Sequence, residues 1–290
     1  MRTERKPTMP VTDIPLEPPP ELRFRRRIRL RSSLRELWGA RELVASLGER
    51  EIRARYKQAS LGMGWAVLTP VLLLLVFTLF FRKVADVDTG GAPYALFSYL
   101  GLLPWTFFSS SLSLGGQSLV VNSTLLNKVY CPREVFPLSS IGVAAVDTLI
   151  SSLVLGVLFV AYGMAPQPTA VWVPVLLAVQ VCFTTGVVLI ISATLVYLRD
   201  LRQALPMLLQ LGLFASPVAY GIEEIPDPAR IWYAIANPLG EVINGYRRTV
   251  LEGVAPELHL LLPAAGSAVA VLLVGYYLFK RLETRFADVA

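Results

Sequence analysis

Six stretches of this chain are long and apolar enough to cross a lipid bilayer. A spanning helix needs about 20 apolar residues, because the hydrocarbon core is roughly 30 Å thick and each residue rises about 1.5 Å. Residues 61–81, 94–117, 137–164, 171–198, 203–222 and 258–279 meet that requirement, and only the third carries a charge, Asp147, near its middle. Backbone polar groups in hydrocarbon must satisfy one another, so such stretches fold as helices. The expectation is an all-α integral membrane fold with six transmembrane helices. At 54% hydrophobic and 17% charged residues, the chain falls well below the roughly 25% charge of a soluble domain.

Charge sets the expected orientation. Residues 1–60 hold 15 Lys/Arg against 8 Asp/Glu, while the remainder is close to neutral. Basic residues stay on the cytoplasmic side of the first helix. The loops 122–136 and 199–202 and the tail 280–290 are each +1, loops 82–91 and 165–170 are neutral, and 223–257 is −3. That alternation places both termini in the cytoplasm of a multi-pass membrane protein. It also accounts for the basic pI without nucleic acid.

The soluble parts divide simply. Residues 1–32 form a tail, with six prolines in its first 20 residues and Arg23, Arg25, Arg26, Arg27, Arg29 and Arg31 after them. Its composition predicts disorder and contact with lipid phosphates, and it has no apolar core that would read as a cleavable signal. Residues 33–60 turn helical and amphipathic, with Leu34, Leu37, Trp38, Val44, Ala45, Ile52 and Tyr56 on one face. Leu43 and Leu47 fall off that face, and Gly39 and Gly48 interrupt it. One long helix and two short ones with a bend fit equally, lying in the membrane interface. The six-helix region is 61–280 and the last cytoplasmic tail is 281–290. Segment 223–257 is too apolar for an aqueous loop, and Pro226, Pro228 and Pro238 forbid one continuous helix. It predicts two short helices that enter the outer leaflet and return, a re-entrant periplasmic segment between helices five and six.

Several chemistries are excluded. Cys131 and Cys182 lie in different segments and do not predict a disulfide. His259 is the sole histidine, placed at the outer end of the last helix, so no metal site is expected. No GxxxxGK[ST] phosphate loop occurs. This chain therefore binds no cofactor of its own, and if ATP drives it, a separate subunit holds the nucleotide and Mg.

Residues 52–65 (IRARYKQASLGMGW), followed by an apolar helix with Pro70, resemble the start of the first membrane helix in permease subunits of ATP-binding-cassette polysaccharide exporters, which move O-antigen, capsule or teichoic-acid chains. Arg55, Tyr56, Leu61, Gly62 and Trp65 carry the match. Residues 128–134 (KVYCPRE) with 137–139 (PLS) are similar to that family's first cytoplasmic loop, 197–200 (YLRD) to the end of its fourth helix, and 216–220 (SPVAY) to the end of its fifth. Asn237-Pro238 and Tyr246-Arg247 are similar to its re-entrant segment. The likeness spans about residues 40–280. The basic tail lies outside it, and Cys131 stands where an aromatic or aliphatic residue is usual. The resemblance implies a homodimer with two ATP-binding subunits, exporting a lipid-linked polysaccharide without covalent chemistry.

Candidate site residues follow. A moving ATPase needs a cytoplasmic element to push, and the mixed loop 122–136 offers Lys128, Tyr130, Arg133 and Glu134, with Glu49, Arg50 and Glu51 as a second element; a connecting loop and a solvated face are the plain alternatives. Trp38, Arg55, Tyr56 and Trp65 mark where a lipid-linked substrate would be admitted. Phe77, Phe80, Tyr94, Phe97, Trp105, Phe108 and Tyr220 are candidates for a conduit in which aromatic faces stack on sugars, or else belong to an interfacial aromatic belt. Asp147 is an intramembrane acid with no cation at similar depth in another span; it serves as structural glue, with Gln180 or Gln210 as polar partners, or lines the conduit. Competing functions are a drug or lipid efflux permease, an integral-membrane glycosyl or phosphoryl transferase, and a passive channel or secondary carrier. A transferase needs clustered carboxylates or histidines, and only Glu223, Glu224 and Asp227 cluster here.

Overall fold

A computed structural model describes residues 30–57, 62, 64–84, 91–126 and 131–283 of the chain. The described part is helical: α1 (Leu30–Gly39), α2 (Arg41–Tyr56), α3 (Gly64–Val84), α4 (Tyr94–Val121), the single turn α5 (Ser123–Leu126), α6 (Val135–Ala161), α7 (Val173–Tyr197), α8 (Leu201–Ala215), α9 (Asp227–Ala236), α10 (Pro238–Arg247) and α11 (Leu258–Glu283). A 3₁₀ turn (Pro168–Trp172) leads into α7, and a π-helical turn (Arg248–Glu252) follows α10. The amphipathic stretch is two helices, broken at Ala40, where φ is −90° and ψ is 8°.

The expected six transmembrane helices are not found. Among the described residues, three helical stretches are long and apolar enough to cross a membrane: Val135–Ala161, Pro168–Tyr197 and Leu258–Glu283. The other three apolar runs fall short for separate reasons. In α3 the apolar part, Gly64–Phe80, is too short. At 15 residues, α8 is about 22 Å long at 1.5 Å per residue, below the roughly 30 Å required. At 28 residues α4 is long enough, but it is diluted by serines and glycines and lies inside the protein, with 18 residues buried. An uncharged run in a sequence does not distinguish a helix bathed in lipid from one surrounded by other helices.

Around α4 pack α3, α6, α7 and α10. Small residues set the spacing: a Cβ on Gly115 would stand 2.6 Å from a methyl of Val188, and one on Gly101 2.7 Å from the Arg247 guanidinium. Helices α7 and α11 also pack closely: a Cβ on Gly186 would lie 2.6 Å from the backbone nitrogen of Leu272. Apolar side chains on α6 face outward at Leu149, Leu153, Val157 and Val160, a stripe with helical spacing. No large apolar side chain of α6 is exposed before Leu149. There α2 runs alongside, from Gly48 against Ser139 to Arg55 against Asp147.

The middle of α2, the start of α6 and the end of α11 lie at one end of the bundle. Arg50 on α2 donates to Asn122 after α4 (2.8 Å), and Ser140 near the start of α6 donates to Glu51 (3.2 Å). Tyr197, closing α7, donates to the carbonyl of Leu282 on α11 (2.9 Å), and Arg133 donates to that of Glu283 (2.6 Å). At the opposite end Tyr94, opening α4, donates to the carbonyl of Ala219 (3.0 Å), and Thr169 donates to that of Thr249 (2.6 Å).

Prolines punctuate segment 223–257. Pro226 precedes α9, with Pro228 in its first turn, and Pro238 opens α10. These positions lack only an N–H that a helix start leaves unbonded anyway. Every residue of α10 is buried. Arg247 at its end donates to the carbonyls of Phe97 (3.1 Å), Pro217 (2.7 Å), Val218 (2.7 Å) and Tyr220 (2.8 Å), and its guanidinium lies 3.6 Å from the centre of the Phe97 ring.

Candidate functional site

The last turn of α2 ends over a cleft of about 270 Å³ between α3, α4 and α6. Arg55 Nη1 lies 2.7 Å from one oxygen of Asp147, and the Tyr56 hydroxyl donates to the other at 2.5 Å. Burial, then the proximity of that carboxylate, raises the Tyr56 phenol above its ordinary range. Trp65, Thr69 and Pro70 of α3, Thr106 and Ser110 of α4, and Thr148 and Ser151 of α6 complete the wall. Asp147, for which no cation was expected in another span, is paired with one supplied by the amphipathic helix. The cause is the path of α2, which follows α6 to just before its outward-facing stripe, so Arg55 reaches Asp147 at the edge of the apolar zone. Gln180 serves elsewhere: it donates to the carbonyl of Pro104 (3.1 Å) and accepts from Tyr246 (3.0 Å). Gln210 is exposed on α8.

The second gathering of polar residues is at the end of the bundle where α6 starts and α11 finishes. Glu49 is exposed and pairs with Arg53 one turn on, while Arg50 and Glu51 are turned toward Asn122 and Ser140. Glu134 is buried and forms an ion pair with Lys280 of α11, which also reaches Glu283 at 2.9 Å. Of the expected coupling residues, then, Glu49 presents its charge to solvent, and Glu134 ties the start of α6 to the end of α11. Lys128 and Tyr130 lie outside the described residues. Lys280 was legible only as a charge closing the last apolar run; nothing local in the sequence pairs it with a residue 146 positions earlier.

The aromatic candidates separate by environment. Phe77, Tyr94, Phe97 and Trp105 are buried in the protein core, where Trp105 abuts Gly212 of α8. Phe108 is partly buried and stacks on Phe183, with ring centres 5.6 Å apart and planes within 9°. Phe80 is 63% exposed and Tyr220 is partly exposed. Trp38 is 72% exposed beside the guanidinium of Arg41, and Trp65 is 48% exposed at the rim of the cleft. Among the described residues no group of three or more His, Cys, Asp or Glu side chains is placed to hold a metal ion.

Residues 42–251, from α2 to the π-helical turn, match the family described as ABC-2 type transporter. The chain belongs to that family. An ABC-2 type membrane protein is a transport subunit, consistent with wholly helical architecture and polar side chains collected at one end. The chain is similar to the O-antigen export system permease protein RfbA of Myxococcus xanthus, 33% identical over 256 residues, covering 88% of this chain and 98% of that protein. It is similar to the RfbA permease of Klebsiella pneumoniae at 28% identity, covering 86% and 95%. The polysialic acid transport protein KpsM of Escherichia coli is 27% identical, with 83% and 93% covered. The similarity covers 93–98% of those relatives, and the family match to this ABC-2 type protein begins at residue 42, after the basic N-terminal tail.

Proposed function

We propose that this ABC-2 type protein is the permease of an ATP-driven exporter that carries a lipid-linked polysaccharide of the O-antigen, capsule or teichoic-acid type out of the bacterial cytoplasm. The observation that carries this reading is the 33% identity across 98% of an O-antigen export permease. Two copies assemble with two ATP-binding subunits in the inner membrane, with both termini cytoplasmic. The basic residues before α3, and the packing of Leu47 of α2 against the cluster that holds Phe279 of α11, support that orientation. The ATPases dock at this end, on the exposed face of α2 around Glu49 and on the loop leading to Arg133. Because Glu134 is held by Lys280, a push on the loop moves α6 and α11 together.

The substrate approaches from the cytoplasmic leaflet beside Trp38, Arg55, Tyr56 and Trp65. The conduit uses the aromatic surface that one copy leaves open, Phe80, Tyr220 and the edge of Phe108. The deciding experiment reconstitutes the chain with the ATPase that copurifies with it and follows labelled lipid-linked glycan into vesicles. ATP-dependent delivery is expected. Delivery without nucleotide, or a purified chain that recruits no ATPase, would refute the reading.

A further inference from the structure

We propose that the cleft under Arg55 and Tyr56 seats one neutral sugar residue of the glycan, gripped through the sugar's hydroxyl protons and stacked on Trp65. The proposal rests on the exporter reading above and adds which chemical group the wall recognises. Its first support is charge. Arg55 and Asp147 are the charged residues of the lining, and they neutralise each other at 2.7 Å.

Proton direction is the second support. Thr69 donates to the carbonyl of Trp65 (3.0 Å), Thr106 to Leu103 (2.9 Å), Thr148 to Ala144 (2.8 Å) and Ser151 to Ala66 (2.7 Å). A hydroxyl has one proton and two lone pairs. With each proton committed to the backbone, these oxygens face the cleft as acceptors, beside the remaining lone pairs of the Asp147 carboxylate. These acceptor oxygens and the carboxylate, with the other Arg55 N–H groups as donors, suit a neutral ligand whose hydroxyls both donate and accept. The acceptors disfavour a phosphate, which at neutral pH offers acceptor oxygens and negative charge, and Arg55, already paired with Asp147, is the cation it could use.

Position is the third support. Trp65 stands half exposed at the rim, an apolar plane of the kind that packs on the C–H face of a sugar ring. The cleft lies beside Asp147, just before the outward apolar stripe of α6 begins at Leu149. A glycan anchored by its lipid in the adjoining leaflet brings its first sugar rings to that depth.

The complex with its ATPase, in phosphatidylethanolamine–phosphatidylglycerol nanodiscs, is titrated with neutral methyl glycosides, read by saturation-transfer NMR. Inorganic pyrophosphate is titrated separately and read by phosphorus line width. Glycoside binding is expected to weaken roughly tenfold in Thr69→Val/Thr148→Val, the scale of a lost hydrogen bond, and to return in Thr69→Ser/Thr148→Ser. Binding that is indifferent to these changes and to Trp65→Ala overturns the proposal. Pyrophosphate broadening abolished by Arg55→Gln also overturns it, because the cleft would then be a phosphate seat. Thermal melts establish that each variant is folded. Glycan delivery by the wild-type complex is scored independently: delivery without cleft-dependent glycoside binding removes the sugar seat alone, and cleft-dependent binding without delivery removes the exporter reading alone.

Discussion

Lys280 and Glu134 form an ion pair almost wholly withdrawn from solvent, with 9% and 1% of their side chains exposed. The pair joins the residue before α6 to the last turns of α11. Glu283 and Arg133 extend it into a knot, since Lys280 also reaches the Glu283 carboxylate and Arg133 the Glu283 carbonyl. A buried pair contributes little net stability, but removing one partner strands a charge and costs about 3–5 kcal/mol. Glu134→Gln and Lys280→Met should each lower thermal stability in detergent by that order. Glu134→Gln/Lys280→Met together should cost clearly less than the sum. Additive losses would mean that the two side chains act independently.

Arg55 and Asp147 should be coupled more weakly, because 35% of the arginine side chain is exposed. A double-mutant cycle of Arg55→Gln and Asp147→Asn, read from unfolding in detergent, should return about 1–2 kcal/mol, between surface and buried pairs. Tyr56→Phe should cost a further ~1 kcal/mol through the lost hydrogen bond to the same carboxylate. A coupling energy indistinguishable from zero would detach α2 from α6 as a functional unit.

What the sequence revealed and concealed divides along one physical line. Local signals were legible. The interruptions at Gly39 and Gly48 allowed two short helices, and Pro226 and Pro238 stand at the starts of α9 and α10. Signals that depend on who packs beside whom were not. Residues 94–117 and 203–222 read like the true lipid-facing runs, yet α4 is enclosed by neighbours and α8 is short. Glu134 reads like a surface charge until Lys280 is brought to it from the far end of the chain. Asp147 reads like a solitary acid because Arg55 belongs to a helix that no count of spans includes. Four aromatics that could line a conduit fill the core, since burial decides an aromatic's role and hydropathy does not report it.

Arg247 should not tolerate lysine. Its guanidinium serves four backbone carbonyls from two different stretches of chain at 2.7–3.1 Å. An ammonium has three donors and no planar fork. At 3% exposure an abandoned carbonyl finds no water in exchange, and each lost charged hydrogen bond is worth about 1.5–3 kcal/mol. Arg247→Lys should destabilise by on the order of 3 kcal/mol and speed proteolysis in the 216–225 stretch. A variant as stable as the parent would show that the loop between α8 and α9 is held by other means.

The α7–α11 seam should be equally unforgiving. Gly186 and Gly275 face each other, and a Cβ on Gly186 would lie 2.6 Å from the Leu272 nitrogen and 2.7 Å from the carbonyl carbon of Val271. Both obstacles are backbone, so a side-chain shift cannot absorb them. Small residues allow helices in membranes to approach at this distance. Gly186→Ala should cost about 1–3 kcal/mol by forced separation of the helices, seen as a lower melting temperature. Gly142→Ala on α6, where nothing lies within 4 Å of the new Cβ, is the matched control and should be neutral or slightly stabilising.

Glu241 makes stability depend on pH in a direction opposite to most acids. It sits fully buried in α10, outside the three spanning helices. Burial first, then the charge of Glu257, pushes its carboxyl up to about 8, against a weaker pull from Asn244 and Arg248. The folded chain therefore holds this proton where the unfolded chain, with its carboxyl near 4.5, has released it. Between those values the native state binds more protons, so stability falls as pH rises. The protonated form incurs no penalty below about 4.5, and the loss is complete above about 8. Glu241→Gln keeps the shape and removes the titration. It should flatten the melting temperature between pH 5 and pH 8.5, and at the alkaline end it should exceed the parent by a few kcal/mol. Parallel pH profiles for the two proteins would mean that the Glu241 carboxyl titrates at the same pH whether or not the chain is folded.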